Sequence, residues 1–123
     1  MRVMMTATAL LAAMTGAAFA QDEPAAASPA SLADCTLAAE APKMPDPKKA
    51  SAEDRMATIA KIKEFQGELN EYRTCLTAIS DNEALEVEVR QAALNEYNRT
   101  VEVETGMVED WQKFNKKYQK ANK

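Results

Sequence analysis

The stretch "TAISDNEALEVEV", residues 77 to 89, separates two long helical patterns, and whether the chain reverses there decides the fold. Upstream of it, apolar residues recur at Met56, Ile59, Ile62, Phe65, Leu69, Tyr72, Leu76 and Ile79. From Ile62 onward the steps alternate between three and four, which puts these side chains on one stripe of an α-helix. Downstream, a second stripe reads Leu94, Tyr97, Val101, Val108, Trp111 and Tyr118, with Phe114 close beside it. "SDN" at 80–82 interrupts the pattern. Ser80 with Glu83 has capping-box spacing, and Asp81 or Asn82 would cap a new helix equally well. The alternation in "LEVEV" at 85–89 also suits a strand. Its only partner would be "TVEVE" at 100–104, across helix-forming residues, so helix is the better reading.

If the chain reverses at 80–82, residues whose numbers add to about 162 face one another. Leu69 then meets Leu94, Phe65 meets Tyr97, Ile62 meets Val101 and Leu76 meets Val87, while Met56 falls beside Gly106 and Met107. Glu104, opposite Ile59, is the exception. A single continuous rod would leave both stripes in water. The prediction is therefore all-α: an antiparallel two-helix hairpin with helices at 52–79 and 83–120. Ser51 and Asp54 have the spacing of a capping box at the first helix, and Gly67 inside it costs roughly 1 kcal/mol against Ala.

Ahead of the hairpin, "APKMPDP" at 41–47 carries Pro42, Pro45 and Pro47, which exclude a helix and favour an extended run. Residues 34–51 are read as an extended arm. "QDEPAAASPASLA", residues 21–33, has few large apolar groups and is read as a disordered linker. The arm matters because of the two cysteines. Cys75 lies about 35 Å along the first helix, and an extended arm back to Cys35 reaches roughly 50 Å. A Cys35–Cys75 disulfide is thus within reach, with the arm running antiparallel along the helix; an intermolecular bond or two buried thiols are the alternatives. Closing a loop of this length stabilises by about 4 kcal/mol in the chain-entropy account.

The chain opens "MRVMMTATALLAAMTGAAFA": Arg2, an apolar run, then small residues ending Ala18-Phe19-Ala20. This is the pattern of a cleaved signal peptide, cut after Ala20, and its apolar core is shorter than the roughly 20 residues of a membrane span. Export to a periplasm, with no transmembrane segment after cleavage, is the expectation. It agrees with disulfide formation, which needs an oxidising compartment. Leu32-Ala33-Asp34-Cys35 is not a lipobox, because Asp34 replaces the small residue before the cysteine and Cys35 lies far from the apolar run.

Net charge is −4, with 15 basic and 19 acidic residues, which argues against nucleic acid as a partner. There is no histidine and there are two cysteines, so neither a nitrogen- or sulfur-rich metal site nor a Ser-His or Cys-His pair can be built. No cofactor is expected and no enzyme activity. The final segment, "WQKFNKKYQKANK", sets Trp111, Phe114 and Tyr118 among five lysines and no acid. In the hairpin register above it overhangs the first helix. Trp111, Lys113, Phe114, Lys117 and Tyr118 are accordingly a candidate partner surface for an anionic lipid headgroup, lipopolysaccharide or an acidic protein. The plainer reading is that the lysines complement the helix dipole while the aromatics pack on the arm near Met44 and Pro45.

In its order of features the chain resembles an uncharacterised proteobacterial family of exported, periplasmic helical proteins. The residues concerned are Cys35, the P-x-x-P-D arm at Pro42 to Asp46, the Y-x-x-C-L helix at Tyr72 to Leu76, and Phe114-Asn115 with Tyr118. The last spacing is shorter here than in that family, and the resemblance brings no function with it. A weaker likeness is to periplasmic lysozyme inhibitors with "L-N-x-x-Y"; Leu94-Asn95-Glu96-Tyr97 is one residue short of it. The expectation is an exported, non-enzymatic interaction or envelope-structural protein acting through a helical surface. Its partner would be an unidentified protein or envelope component, or a second copy in a homodimer. The alternative is an inhibitor of a hydrolase such as lysozyme.

Overall fold

A computed structural model describes residues 28–123. The expected signal segment, its expected cleavage point after Ala20 and residues 21–27 of the expected linker lie outside the described residues. The elements are a short 3-10 turn, Leu32–Asp34, followed by α1, Ala52–Ser80, and α2, Val87–Ala121. The described residues contain no strand, and α1 and α2 pack against each other as an antiparallel hairpin. The Cys35–Cys75 disulfide ties the N-terminal arm to α1, with Cα atoms 5.7 Å apart.

Local chemistry sets the start of α1. Ser51 Oγ accepts from the Asp54 amide at 3.0 Å, and the Ser51 amide donates to the Asp54 carboxylate at 2.8 Å. These bonds satisfy two of the amides a helix start leaves unpaired, and they hold the Asp54 carboxyl below its ordinary pKa. Between Cys35 and the turn at Pro47 the arm has no helix. Leu37, Ala39, Ala41 and Met44 pack inward, while Thr36, Ala38, Glu40 and Lys43 are exposed. This alternation is that of an extended segment lying on a surface.

The core has two parts. Beside the disulfide, Cys35, Leu76, Ile79 and Ala93 are buried, flanked by Leu32, Tyr72, Leu85, Val89 and Tyr97. Further along, Phe65, Leu69 and Met107 are buried beneath the arm, with Ile62 and Val103 alongside. The arm is thus a third layer. It covers apolar surface that two helices alone would expose to water.

The expected second helix starts late. It begins at Val87, not at residue 83, because residues 81–86 form a turn. Asp81 caps the C-terminus of α1, the Asn82 side chain accepts from the Ala84 amide, and the Asn82 carbonyl accepts from Leu85. Asn82 therefore closes a turn and does not cap α2, and its N-cap, Glu86, makes no side-chain cap bond. Leu85 is drawn into the core.

The longer turn changes the register. Arg55 bonds Asn115, Gln66 bonds Glu104 and Tyr72 bonds Glu96, so facing residues add to about 170 and not to about 162. The pairings expected from the sequence are replaced. Phe65 packs with Met107, while Tyr97 joins the cluster around Leu76. Met56, Val87, Leu94 and Val101 are all exposed. Glu104 does not oppose Ile59 but pairs with Arg73 at 2.6 Å.

The inward face of α2 is Ala93, Thr100, Met107 and Phe114, a strict seven-residue repeat. Ala93 and Thr100 are small enough to let α1 approach beside Leu69, Leu76 and Ile79, all fully buried. The Thr100 hydroxyl donates to the Tyr97 carbonyl and accepts from Arg73 Nε, so its burial leaves no polar atom stranded. Ahead of the arm, residues 31–34 form an ordered turn. Asp34 accepts from the amides of Ala30 and Ser31, and Leu32 packs on the disulfide cluster, which orders this turn.

Candidate functional site

The C-terminal part of α2 does not overhang α1; in the observed register it lies along its first turns. Arg55 Nε donates to Asn115 Oδ1 at 3.0 Å, and its guanidinium carbon sits 5.5 Å from the Trp111 ring centroid and 5.8 Å from that of Tyr118. Phe114 stacks between them, 5.4 Å from Trp111 and 5.8 Å from Tyr118, and is buried. Three aromatics and one arginine thus close this end of the hairpin. Cation–π attraction and ring stacking hold it together without a charged partner.

Lys113 and Lys117 are placed differently. Both are exposed and line a groove of about 600 Å³ between α2 and the arm from Ala41 to Pro47. Its floor includes Met44, Pro45, Gly106 and Phe114, and its rim also carries Glu102 and Asp110. The five residues singled out from the sequence therefore divide into an internal aromatic–arginine stack and two lysines on an open groove.

Two polar groups bridge the helices. The Tyr72 hydroxyl donates to Glu96 at 2.9 Å, and Arg99 donates to both oxygens of the same carboxylate. The bonds from Arg99 hold Glu96 below the ordinary carboxylate pKa, against burial that pushes it up. Burial, then the neighbouring Glu96, raises Tyr72. Held by these three bonds, Glu96 ties α1 to α2. On the opposite face, Arg73 bonds Thr100 and Glu104 and lies over the Tyr97 ring at 5.7 Å. One guanidinium nitrogen of Arg73 is buried without a partner. Among the described residues no three His, Cys, Asp or Glu side chains converge as metal ligands would. No described helix is long and apolar enough to cross a membrane.

Of the five large hydrophobic side chains left exposed among the described residues, four are on α2. Val87, Leu94, Val101 and Val108 follow one another at steps of seven and are 68, 44, 44 and 37 % exposed. They form a line parallel to the buried one and turned outward. Beside them runs a second line, Gln91, Asn98, Thr105 and Gln112, all exposed and none charged. In a chain with 28 % charged residues, a band of eight uncharged exposed positions over more than three heptads stands apart. A shallow depression bordered by Val101 and Val108 interrupts its surface.

The sequence pattern contained this stripe but assigned it to the core. By spacing alone Leu94, Val101 and Val108 belong to the seam; in the structure they mark the edge of a wider apolar arc that includes Val89, Ala93, Val103, Met107 and Phe114. The centre of that arc is the side that packs. Comparison with protein-family models, curated proteins and solved structures finds no match to the chain.

Proposed function

We propose that this is an exported, periplasmic, non-enzymatic protein that acts by binding, and that the outer face of α2 is its binding surface for a partner helix with a matching apolar stripe. The exposed line Val87–Leu94–Val101–Val108 beside an uncharged polar line carries the reading. Apolar residues repeating every seven on a helix are what a second helix packs against, and a surface meant only for water would vary in charge along its length. Export rests on the leader-like start of the sequence, and the disulfide and the lack of a described membrane-spanning helix are compatible with it. Membership of the proteobacterial exported family rests on the motifs around Cys35, Pro42 to Asp46 and Tyr72 to Leu76.

A photoreactive side chain at Val108 tests this in the exported protein. The expected result is a protein adduct of discrete mass that disappears when Leu94→Glu is added, with circular dichroism and melting unchanged. An adduct indifferent to Leu94→Glu, or none at all, counts against the stripe as a binding surface.

A second reading draws on the tip of the hairpin, where Asp81, Glu83, Glu86 and Glu88 are exposed together. An acidic projection suits the basic cleft of a hydrolase such as lysozyme. Inhibition that is lost when Glu83 and Glu86 become glutamine, but unaffected by Leu94→Glu, would favour this reading.

A further inference from the structure

We infer that the partner helix is α2 of a second copy, laid antiparallel on the first about a two-fold axis near Tyr97 and Asn98. This rests on the stripe being the binding surface. In that arrangement Val87 meets Val108 of the second copy and Leu94 meets its Val101, so every apolar residue of the stripe faces another. The flanking Gln91, Asn98, Thr105 and Gln112 bring no charge into the contact.

Charge decides the direction. The segment from Lys113 to Lys123 carries five lysines and no acid; Lys113, Lys117 and Lys120 line grooves beside the arm, and Lys116, one heptad on from Glu109, stands beside the stripe. The turn before α2 and its first residues carry Asp81, Glu83, Glu86 and Glu88, with no base before Arg90. Antiparallel pairing sets the lysine end of each copy beside the acidic turn of the other, twice by symmetry. It also brings Arg90 of one copy toward Glu104 of the other. Parallel pairing stacks lysines on lysines and acids on acids. Like-charge approaches remain at the rim, Glu86 and Glu88 with Glu109 of the second copy, in both halves of the pair.

The size of the contact sets its strength. From Val87 to Val108 the stripe is about 32 Å long, and two such faces with their flanks bury on the order of 1,000 Å². That is the lower end of specific interfaces, so the dimer forms reversibly and depends on concentration.

Sedimentation velocity on the oxidised protein, from micromolar to millimolar concentration, provides the test. A monomer–dimer equilibrium is expected that is lost in Leu94→Glu and weakened as salt rises from 0.1 to 1 M, where screening shortens from about 10 to about 3 Å. Glu109→Lys is expected to tighten the dimer about tenfold by turning these repulsions into attractions; a parallel dimer would be weakened by it. A monomer at all concentrations, a dimer indifferent to Leu94→Glu, or weakening by Glu109→Lys overturns the antiparallel self-pairing. The Val108 adduct keeps the two readings apart. At twice the chain's mass it supports a second copy, at another mass it keeps the binding surface and rules out self-pairing, and its absence removes both.

Discussion

Phe65 and Met107 meet across the hairpin, each 3 % exposed, with the arm residues Leu37, Ala39, Ala41 and Met44 packed over them. This contact joins all three layers of the molecule at one point. It holds α1 and α2 in register where neither the turn nor the disulfide is near.

Truncating either side chain should therefore open a cavity. Phe65→Ala is expected to cost about 3–5 kcal/mol and Met107→Ala about 2–5. A double-mutant cycle between them should show coupling of at least about 0.5 kcal/mol, whereas Phe65→Ala with Tyr97→Ala should be close to additive. Urea unfolding of the six proteins measures both, and the opposite pattern would return the hairpin to a register eight residues shorter.

Removing the disulfide should free the arm and spare the helices. Cys35→Ser or Cys75→Ser is expected to cost about 2–5 kcal/mol, and the double variant no more than either single one, because each abolishes the same bond. Helical circular dichroism should persist at low temperature, while protease cleavage between residues 36 and 50 should rise. A native protein that contains free thiols would contradict the tether.

Arg73 and Glu104 form a bridge whose side chains are 13 and 28 % exposed. Glu104→Ala leaves Arg73 charged, largely buried and short of a partner, and should cost about 1–3 kcal/mol once partial exposure is allowed for. Arg73→Met removes the buried charge itself and should cost less, since it also removes an unpaired guanidinium nitrogen. Chemical denaturation ranks the two, and a larger cost for Arg73→Met would mean the arginine's own bond to Thr100 and its contact with the Tyr97 ring dominate.

Glu96 predicts the acid limb of stability. Its pKa in the folded chain lies below the ordinary 4.5, so on acidification the unfolded chain takes up this proton first. Its contribution is complete above that ordinary value and is lost as pH falls through the folded one. The stability gap between wild type and Glu96→Gln should close over that range. Tyr72, raised above 10.0, acts with the opposite sense and stabilises fully below that value, less as pH rises through the folded one. Denaturation midpoints against pH check both, and a gap that widens in acid would mean Glu96 is not the group responsible.

Gly67 lies in mid-helix with nothing within 4 Å of where a Cβ would stand. Gly67→Ala should stabilise by about 1 kcal/mol through helix propensity alone, read as a higher melting temperature with unchanged dimerisation. A loss of stability would show that an unrecognised surface needs that gap.

What the sequence determined by itself is what depends on neighbours in the chain. The start of α1 follows from Ser51 and Asp54, the extended arm from its prolines, and two helices from long runs of three-four spacing. The reach of the arm allows a Cys35–Cys75 disulfide, and the fold selects it over a bond between chains or two free thiols. Tertiary structure decided which face of α2 turns inward and how far the helices slide. Both Leu94–Val101–Val108 and Ala93–Thr100–Met107–Phe114 repeat with the same period, and periodicity cannot choose between adjacent stripes. The choice came from the turn at Asn82, which delays α2, and from the fit of small residues on α2 against the large ones of α1. The arm contributed as well, since it covers the side of α2 that carries Val103 and Met107. With those groups buried, the stripe beginning at Val87 stayed in water, and the candidate binding surface is the part of the apolar pattern that the fold did not use.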